Sequence, residues 1–240
     1  MAVFLFVESK SKSKSPLVLL GIFRRRTITG ANTLGLILGT AIFGMFFLLS
    51  LYMQQVLGFS PLKTGVGYLG IALTIIVIAG VSQALVTRLG VRPVLMTGLV
   101  LLSVGLLYFN WISPDGSYFG DLFPGFILVG IGLGFSFIPI SIAALSGVED
   151  RQAELASGFI NTTQQVGGAL GLAILITVAT TRANGLLETG TPPPVAFTDG
   201  CRLAFWVALG FAVAGFLPAA VLLRGKELRA GATVAQSPTA

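Results

Sequence analysis

The sequence predicts an all-α integral membrane protein, a bundle of six transmembrane helices, and three observations carry that prediction. Of its 240 residues 54% are hydrophobic and only 10% charged, against roughly 25% charged in a soluble domain, so water is not the solvent for most of this surface. Apolar stretches of spanning length, roughly 20 residues for a hydrocarbon layer of about 30 Å, recur between short polar breaks. The basic residues also sort to one side when successive breaks are assigned alternately to the two membrane faces.

Residues 1–27 are expected to be the stump of a preceding helix followed by a cytoplasmic loop. MAVFLFV is too short to span and precedes its lysines (Lys10, Lys12, Lys14), the reverse of a signal peptide. SPLVLLGIFRRR can lie along the membrane surface, with Arg24, Arg25 and Arg26 at the cytoplasmic edge. The bundle then occupies 28–223. Its first span, 28–52, ends at the Gly/Pro turn MQQVLGFSPLKTG, and the second, 64–86, returns to TRLGVRP. The third, 94–112, leads to SPDGSYFGD, which holds Asp115 and Asp121 and no basic residue. The fourth, 122–145, carries Pro139, a tolerable kink where neighbouring helices satisfy the freed carbonyl. After the polar run GVEDRQAE comes the fifth, 155–180, then a long loop to Gly200 containing TPPP, then the sixth, 202–223. The small, polar tail 224–240 reads as disordered and cytoplasmic.

Alternating the loops places twelve Lys and Arg inside and three, Lys63, Arg182 and Arg202, outside. This bias sets both termini in the cytoplasm of a multi-pass plasma-membrane protein and requires an even number of spans. It also accounts for the formal charge of +6 without nucleic acid as a partner. There is no His, and Cys201 is the sole cysteine, so an intrachain disulfide and the usual zinc or iron ligand sets are excluded and no cofactor is expected. Without a His partner for Ser or Cys, and without a phosphate-binding glycine loop, the chain does not read as an enzyme.

Glycines recur four residues apart: Gly35 and Gly39 in the first span, Gly130 and Gly134 in the fourth, Gly167 and Gly171 in the fifth. Such faces let helix backbones approach closely in lipid, where packing rather than hydrophobicity drives association. The fifth span opens SGFINTTQQVGGALG, placing Asn161, Gln164 or Gln165, and Gly168 near one face. These amides turn inward, either into interhelical hydrogen bonds or onto a water-filled substrate path. Gln54 and Gln55 end the first span, and one of them could point into the mouth of the bundle. No ionisable residue falls in the middle of any expected span, where it would mark an ion pathway. Asp121 reads as a helix N-terminal cap rather than a coupling carboxylate.

SLYMQQVLGFSPLKTGVGYL (Ser50 to Leu69), RLGVRPVLMTGL (Arg88 to Leu99) and ASGFINTTQQVGGALGLAI (Ala156 to Ile174) resemble, in order and spacing, the C-terminal half of the 14-helix drug:proton antiporter branch (EmrB/QacA-type) of the major facilitator superfamily. The resemblance covers nearly the whole chain, and its last motif is the most specific. It implies that the six spans correspond to helices 9 to 14, arranged as two inverted three-helix repeats. The first, second, fourth and fifth would face a central cavity, and the third and sixth the lipid. It also implies that the proton-coupling carboxylates belong to the N-terminal half. The loop residues Arg88, Gly90 and Arg92 match the superfamily's cytoplasmic loop motif, but Thr87 stands where an Asp is preferred, so the charge relay of that loop is in doubt. Gly70 and Gln164 stand where relatives often have Pro and Arg.

The expected function is therefore proton-coupled efflux of amphipathic small molecules by alternating access, with Gln54, Asn161 and Gln165 as polar contacts on the substrate path and Gly167, Gly168 and Gly171 permitting close helix approach. The partners are the lipid bilayer, the small-molecule substrate, and an N-terminal transporter half or a second copy. The rival reading is a non-transporting membrane partner or an inactive transporter fragment.

Overall fold

The computed structural model describes residues 26–145 and 150–221, with side chains from Ile28 to Ala144 and from Ser157 to Val221. The stump and surface segment before Arg26, the start of the inner turn GVEDRQAE, and the tail 224–240 lie outside the described residues. All regular structure among the described residues is helical, and six helices are long and apolar enough to cross a membrane. They are α1 (Ile28–Val56), α2 (Pro61–Leu89), α3 (Val91–Trp111), α4 (Tyr118–Ala144), α5 (Asp150–Glu188, of membrane character over Ser157–Glu188) and α6 (Pro193–Val221).

The α5–α6 connection departs from the sequence expectation. In place of a long loop from 181 to Gly200, α5 runs on to Glu188 and α6 begins at Pro193. Proline lacks an N–H and has its φ fixed near the helical value, both harmless in a first helical turn, so TPPP starts a helix. The short turn is closed by Gly190 at φ +83° and by Thr191 N–H donating to the Leu186 carbonyl at 3.1 Å, a left-handed helix ending that glycine adopts without strain.

Three charges assigned to the loop or its edge are consequently helical. Arg182 of α5 and Asp199 of α6 pair at 2.7 Å, with side chains 50% and 37% exposed. An exposed pair of this kind contributes little. Asp199→Asn is expected to shift stability by less than about 1 kcal/mol, checked by thermal denaturation of the detergent-purified chain. Arg202 lies more than two turns inside α6 and donates from Nε and Nη2 to the Ile112 carbonyl, at 2.9 and 2.5 Å. It thereby meets the free, partially negative carbonyl end of α3.

The helices pair in a pattern preserved when the first three exchange with the last three. α1 packs along α5 as α4 packs along α2; α3 packs along α4 as α6 packs along α1; α3 and α6 meet behind. α1 and α4 are the most buried, at 61% and 56% of their apolar stretch, and α2 the least, at 17%. Close approach follows the glycines. A Cβ on Gly130 or Gly134 would sit 2.8 Å from the Cβ of Thr74 or Ile78 of α2. On the other central helix, one on Gly39 would meet the backbone of Gln164 in α5. The α3–α4 seam uses Gly98, Gly105 and Gly132 in the same way, with a Cβ on Gly132 falling 2.8 Å from Leu102 Cα. These three escaped the search for four-residue spacing. At one end the core is aromatic, where the buried ring of Phe109 packs edge-on against Phe126 and tilted against Phe205, with centroids 5.8 and 5.4 Å apart.

Candidate functional site: the face shared by α1 and α5

The α1–α5 seam is built backbone to backbone. A Cβ on Gly167 would lie 2.9 Å from the Leu36 carbonyl carbon, and one on Gly171 would collide with the backbone of Thr40. The Thr40 hydroxyl contacts both the Leu36 carbonyl at 2.9 Å and the Gly167 carbonyl at 3.0 Å. Nearby, the Thr163 hydroxyl lies 3.0 Å from Asn32 Oδ1 and 2.8 Å from the Phe159 carbonyl, and Asn32 donates its amide to the Ile28 carbonyl. Polar groups in the seam are therefore satisfied locally, as burial in lipid demands.

This tight seam decides which of the two adjacent glutamines belongs to it. Gln164 packs on Gly35, where a Cβ would be 3.3 Å from its Cγ, and is half-buried. Gln165 is exposed, in a row with exposed Asn161, Ala169, Ala173 and Thr177. A second exposed row, Val166, Leu170 and Ile174, runs beside it. Across the seam, α1 presents Leu36, Phe43 and Phe47. The Phe43 ring lies over Gly168, where a Cβ would come within 2.7 Å of it. Sequence reasoning missed Phe43 and Phe47. Their four-residue spacing was visible, but aromatic residues in an apolar helix carry no mark of which face they take.

Asn161 and Gln165 thus share one row, whereas Gln54 does not join them. It is exposed in the π-wound turn Tyr52–Val56 at the far end of α1. The seam sets Gln164 against Gly35 and Gly39, which puts Gln54 about 25 Å away along the helix at 1.5 Å per residue. Its neighbour Gln55 instead lines a small cavity of 160 Å³ with Tyr52, Thr180 and Cys201. Between Asn161 and Thr177 the face has neutral amides, hydroxyls, aliphatic groups and aromatic rings and no ionisable side chain. It can stack and hydrogen-bond a molecule but supplies no charge.

At the α2–α3 connection Gly90 turns the chain at φ +91°. Arg92 donates to the Ala220 carbonyl near the end of α6 at 3.2 Å, and Arg88 is exposed. The Thr87 hydroxyl donates back to Ala84 of its own helix at 2.7 Å.

At the opposite end the α3–α4 turn is clasped by Asp121. Its carboxylate accepts from the Ser113 N–H at 3.0 Å and the Ser117 N–H at 2.7 Å, while Ser117 Oγ accepts from Gly120 N–H at 3.1 Å. Ser117 is the N-cap residue and Asp121 its reciprocal partner, a variant of the capping box. Tyr52 completes the clasp by donating to the Ser113 carbonyl at 2.5 Å.

A family model described as Major Facilitator Superfamily matches residues 2–172. The puromycin resistance protein pur8 of Streptomyces alboniger is 32% identical over 92% of this chain and 44% of its own length. The multidrug resistance protein B homolog of Mycobacterium tuberculosis is 30% identical over 78% of the chain and 35% of its own. The cephamycin export protein CmcT of Amycolatopsis lactamdurans is 32% identical over 77% and 38%. The chain spans less than half the length of each of these relatives. Six apolar helices in a glycine-seamed bundle, with the family match across most of the sequence, make this chain a multi-pass membrane protein that belongs to the major facilitator superfamily.

Proposed function

We propose that the bundle forms one half of an alternating-access exporter that moves amphipathic small molecules outward in exchange for protons, its α1–α5 face closing against a second bundle. The observation that carries this reading is the exposed row of Asn161 and Gln165 on the face where the Phe43 ring covers Gly168. Amides left uncovered at membrane depth require a polar partner or water, and a cavity between two bundles provides both. The drug-resistance and drug-export names of the relatives support the substrate class. The third and sixth helices suit the lipid side, since α6 exposes Leu203, Trp206, Val213 and Leu217. In this reading Arg88 and Arg92 lie at the cytoplasmic end, where both chain termini also lie, and the coupling carboxylates belong to the partner bundle.

The test is efflux of a fluorescent amphipathic dye from pump-deficient cells that express the chain alone or with an N-terminal partner bundle. Export only when both are present supports the reading. Gradient-driven export by the chain alone would replace it with a homodimer, and no export in either case, with expression verified, would favour the inactive fragment. In the exporting pair, Gln165→Leu is expected to lower the dye export rate about tenfold, through a lost hydrogen bond in a site with few other polar groups.

A further inference from the structure

At the end of the bundle opposite Gly90, two departures from the α-helix lie on either side of the α1–α2 turn. α1 ends in the π-wound turn Tyr52–Val56, where the Leu57 N–H donates to the Tyr52 carbonyl at 3.1 Å. α2 is interrupted at Tyr68, between Pro61–Gly67 and Leu69–Leu89. There the Tyr68 N–H is shared between the Gly65 carbonyl at 3.2 Å and the Thr64 carbonyl at 3.3 Å, which loosens the ladder. A π turn and a mid-helix break are places where helices bend.

Between these two joints the tip, residues 53–67, holds itself together. The Phe59 N–H donates to the Met53 carbonyl at 2.9 Å, Ser60 Oγ accepts from the Lys63 N–H at 3.3 Å, and Lys63 Nζ rests 3.8 Å from the centre of the Phe59 ring. A Cβ on Gly67 would lie 3.4 Å from Met53 Sδ, so the two limbs of the tip touch. The joints themselves are anchored to the rest of the bundle by tyrosines. Tyr52 donates to the Ser113 carbonyl, and Tyr68 donates to the Phe46 carbonyl at 2.6 Å, its ring 5.2 and 5.4 Å from those of Phe46 and Phe126. A third, Tyr118 of the α3–α4 turn, donates to the Gly67 carbonyl at 2.6 Å and sets the angle at which the tip leaves α2.

Two further observations give the tip room to move and a reason to do so. A cavity of 740 Å³ lies between it and the α3–α4 turn, lined by Leu57, Phe59 and Val66 on one side and by Pro114, Gly116 and Phe119 on the other. Thr64, in the tip, is 4% exposed, and its hydroxyl has no hydrogen-bond partner among the described residues. A buried hydroxyl left this way disfavours the arrangement that buries it, and displacement of the tip lets it find water or a partner. We infer that the α1–α2 tip is a lid, hinged at Tyr52 and Tyr68 and latched by Tyr118, that moves as one piece when the latch opens. The latch bond holds one position and the stranded Thr64 hydroxyl opposes it, the balance a two-position element requires. Lid and latch lie within this chain and do not depend on the proposed export.

The test measures distances between pairs of spin labels by pulsed electron resonance on the purified full chain in lipid nanodiscs, with the buried Cys201 replaced by alanine. One label sits on Leu203→Cys of α6, and the other on Leu62→Cys or Val66→Cys in the tip or on Leu73→Cys in α2 beyond the break, all exposed positions. The two tip positions are expected to show two distance populations and Leu73 one. Tyr118→Phe, which removes the latch hydroxyl and keeps the ring, should raise the ratio of the second population to the first about tenfold at both tip positions, the effect of one hydrogen bond. Thr64→Val, which removes the stranded hydroxyl at nearly constant shape, should lower that ratio. Monodisperse elution of each variant verifies folding. A single distribution at Leu62 and Val66 that neither substitution changes would overturn the inference. So would a shift of Leu73 equal to that of the tip, which would make α2 a rigid rod, or separate responses at Leu62 and Val66, which would deny that the tip moves as one piece.

Discussion

Gly171→Ala is expected to destabilise the chain by about 2–3 kcal/mol, whereas Gly185→Ala on the same helix is expected to stabilise it by up to about 1 kcal/mol. Alanine is the better helix former at both positions, so intrinsic propensity favours both substitutions. What separates them is the space for one methyl group. At Gly185 the added carbon meets nothing within 4 Å. At Gly171 it meets the carbonyl group and Cα of Thr40, atoms that no rotamer change can move aside. Relief requires α1 and α5 to separate, which also strains the contact of the Thr40 hydroxyl with Gly167. Thermal denaturation of the two purified variants, read as loss of monodisperse protein, gives the comparison directly. Equal shifts would show that the seam is looser than the geometry described above.

Asp121→Ala should cost about 3 kcal/mol, the value of two hydrogen bonds to a charged acceptor partly shielded from water. The loss is concentrated in the α3–α4 turn, where the Ser113 and Ser117 N–H groups would lose their acceptor. The turn has no slack to find another arrangement: a Cβ on Gly116 would come within 2.6 Å of the Tyr52 hydroxyl and 2.8 Å of Asp121 Cγ. Asp121→Asn keeps one acceptor oxygen but turns its NH2 donor toward the other N–H, and should cost at least half as much. The two substitutions also separate a clasp from a coupling group. A clasp predicts graded loss of melting temperature, with gradient-driven export by the surviving protein retained; a coupling carboxylate predicts export abolished in Asp121→Asn with melting unchanged.

The six spans were legible in the sequence because hydropathy and turn residues point the same way over most of the chain. They diverge at the end of α5, where TTRANGLLE is too polar for a hydropathy window and the prolines beyond it imitate a loop. That polarity fits a helix reaching past the hydrocarbon layer, and the sixth span was set too late for the same reason. The glycines at Gly35 and Gly39, Gly130 and Gly134, and Gly167 and Gly171 stood out by spacing, but the structure was needed to show what each meets. Gln164 and Gln165 differ by only about 100° around the helix, so no pattern could say which one enters the seam. The clasp around Ser113 left little trace, since Tyr52 and Asp121 bind backbone groups and backbone groups carry no sequence signature.

The pairing of α1 with α5 has a consequence for how the chain is made. Thr40 and Gly167 touch across 127 residues, and synthesis at about 5–20 residues per second would separate their appearance by roughly 6–25 seconds. For that interval α1 resides in the bilayer with its glycine face against lipid and its principal partner unsynthesised. Insertion and assembly are therefore separate events for this helix, and a nascent chain halted between α4 and α5 would present that face to the chaperones and proteases of the membrane.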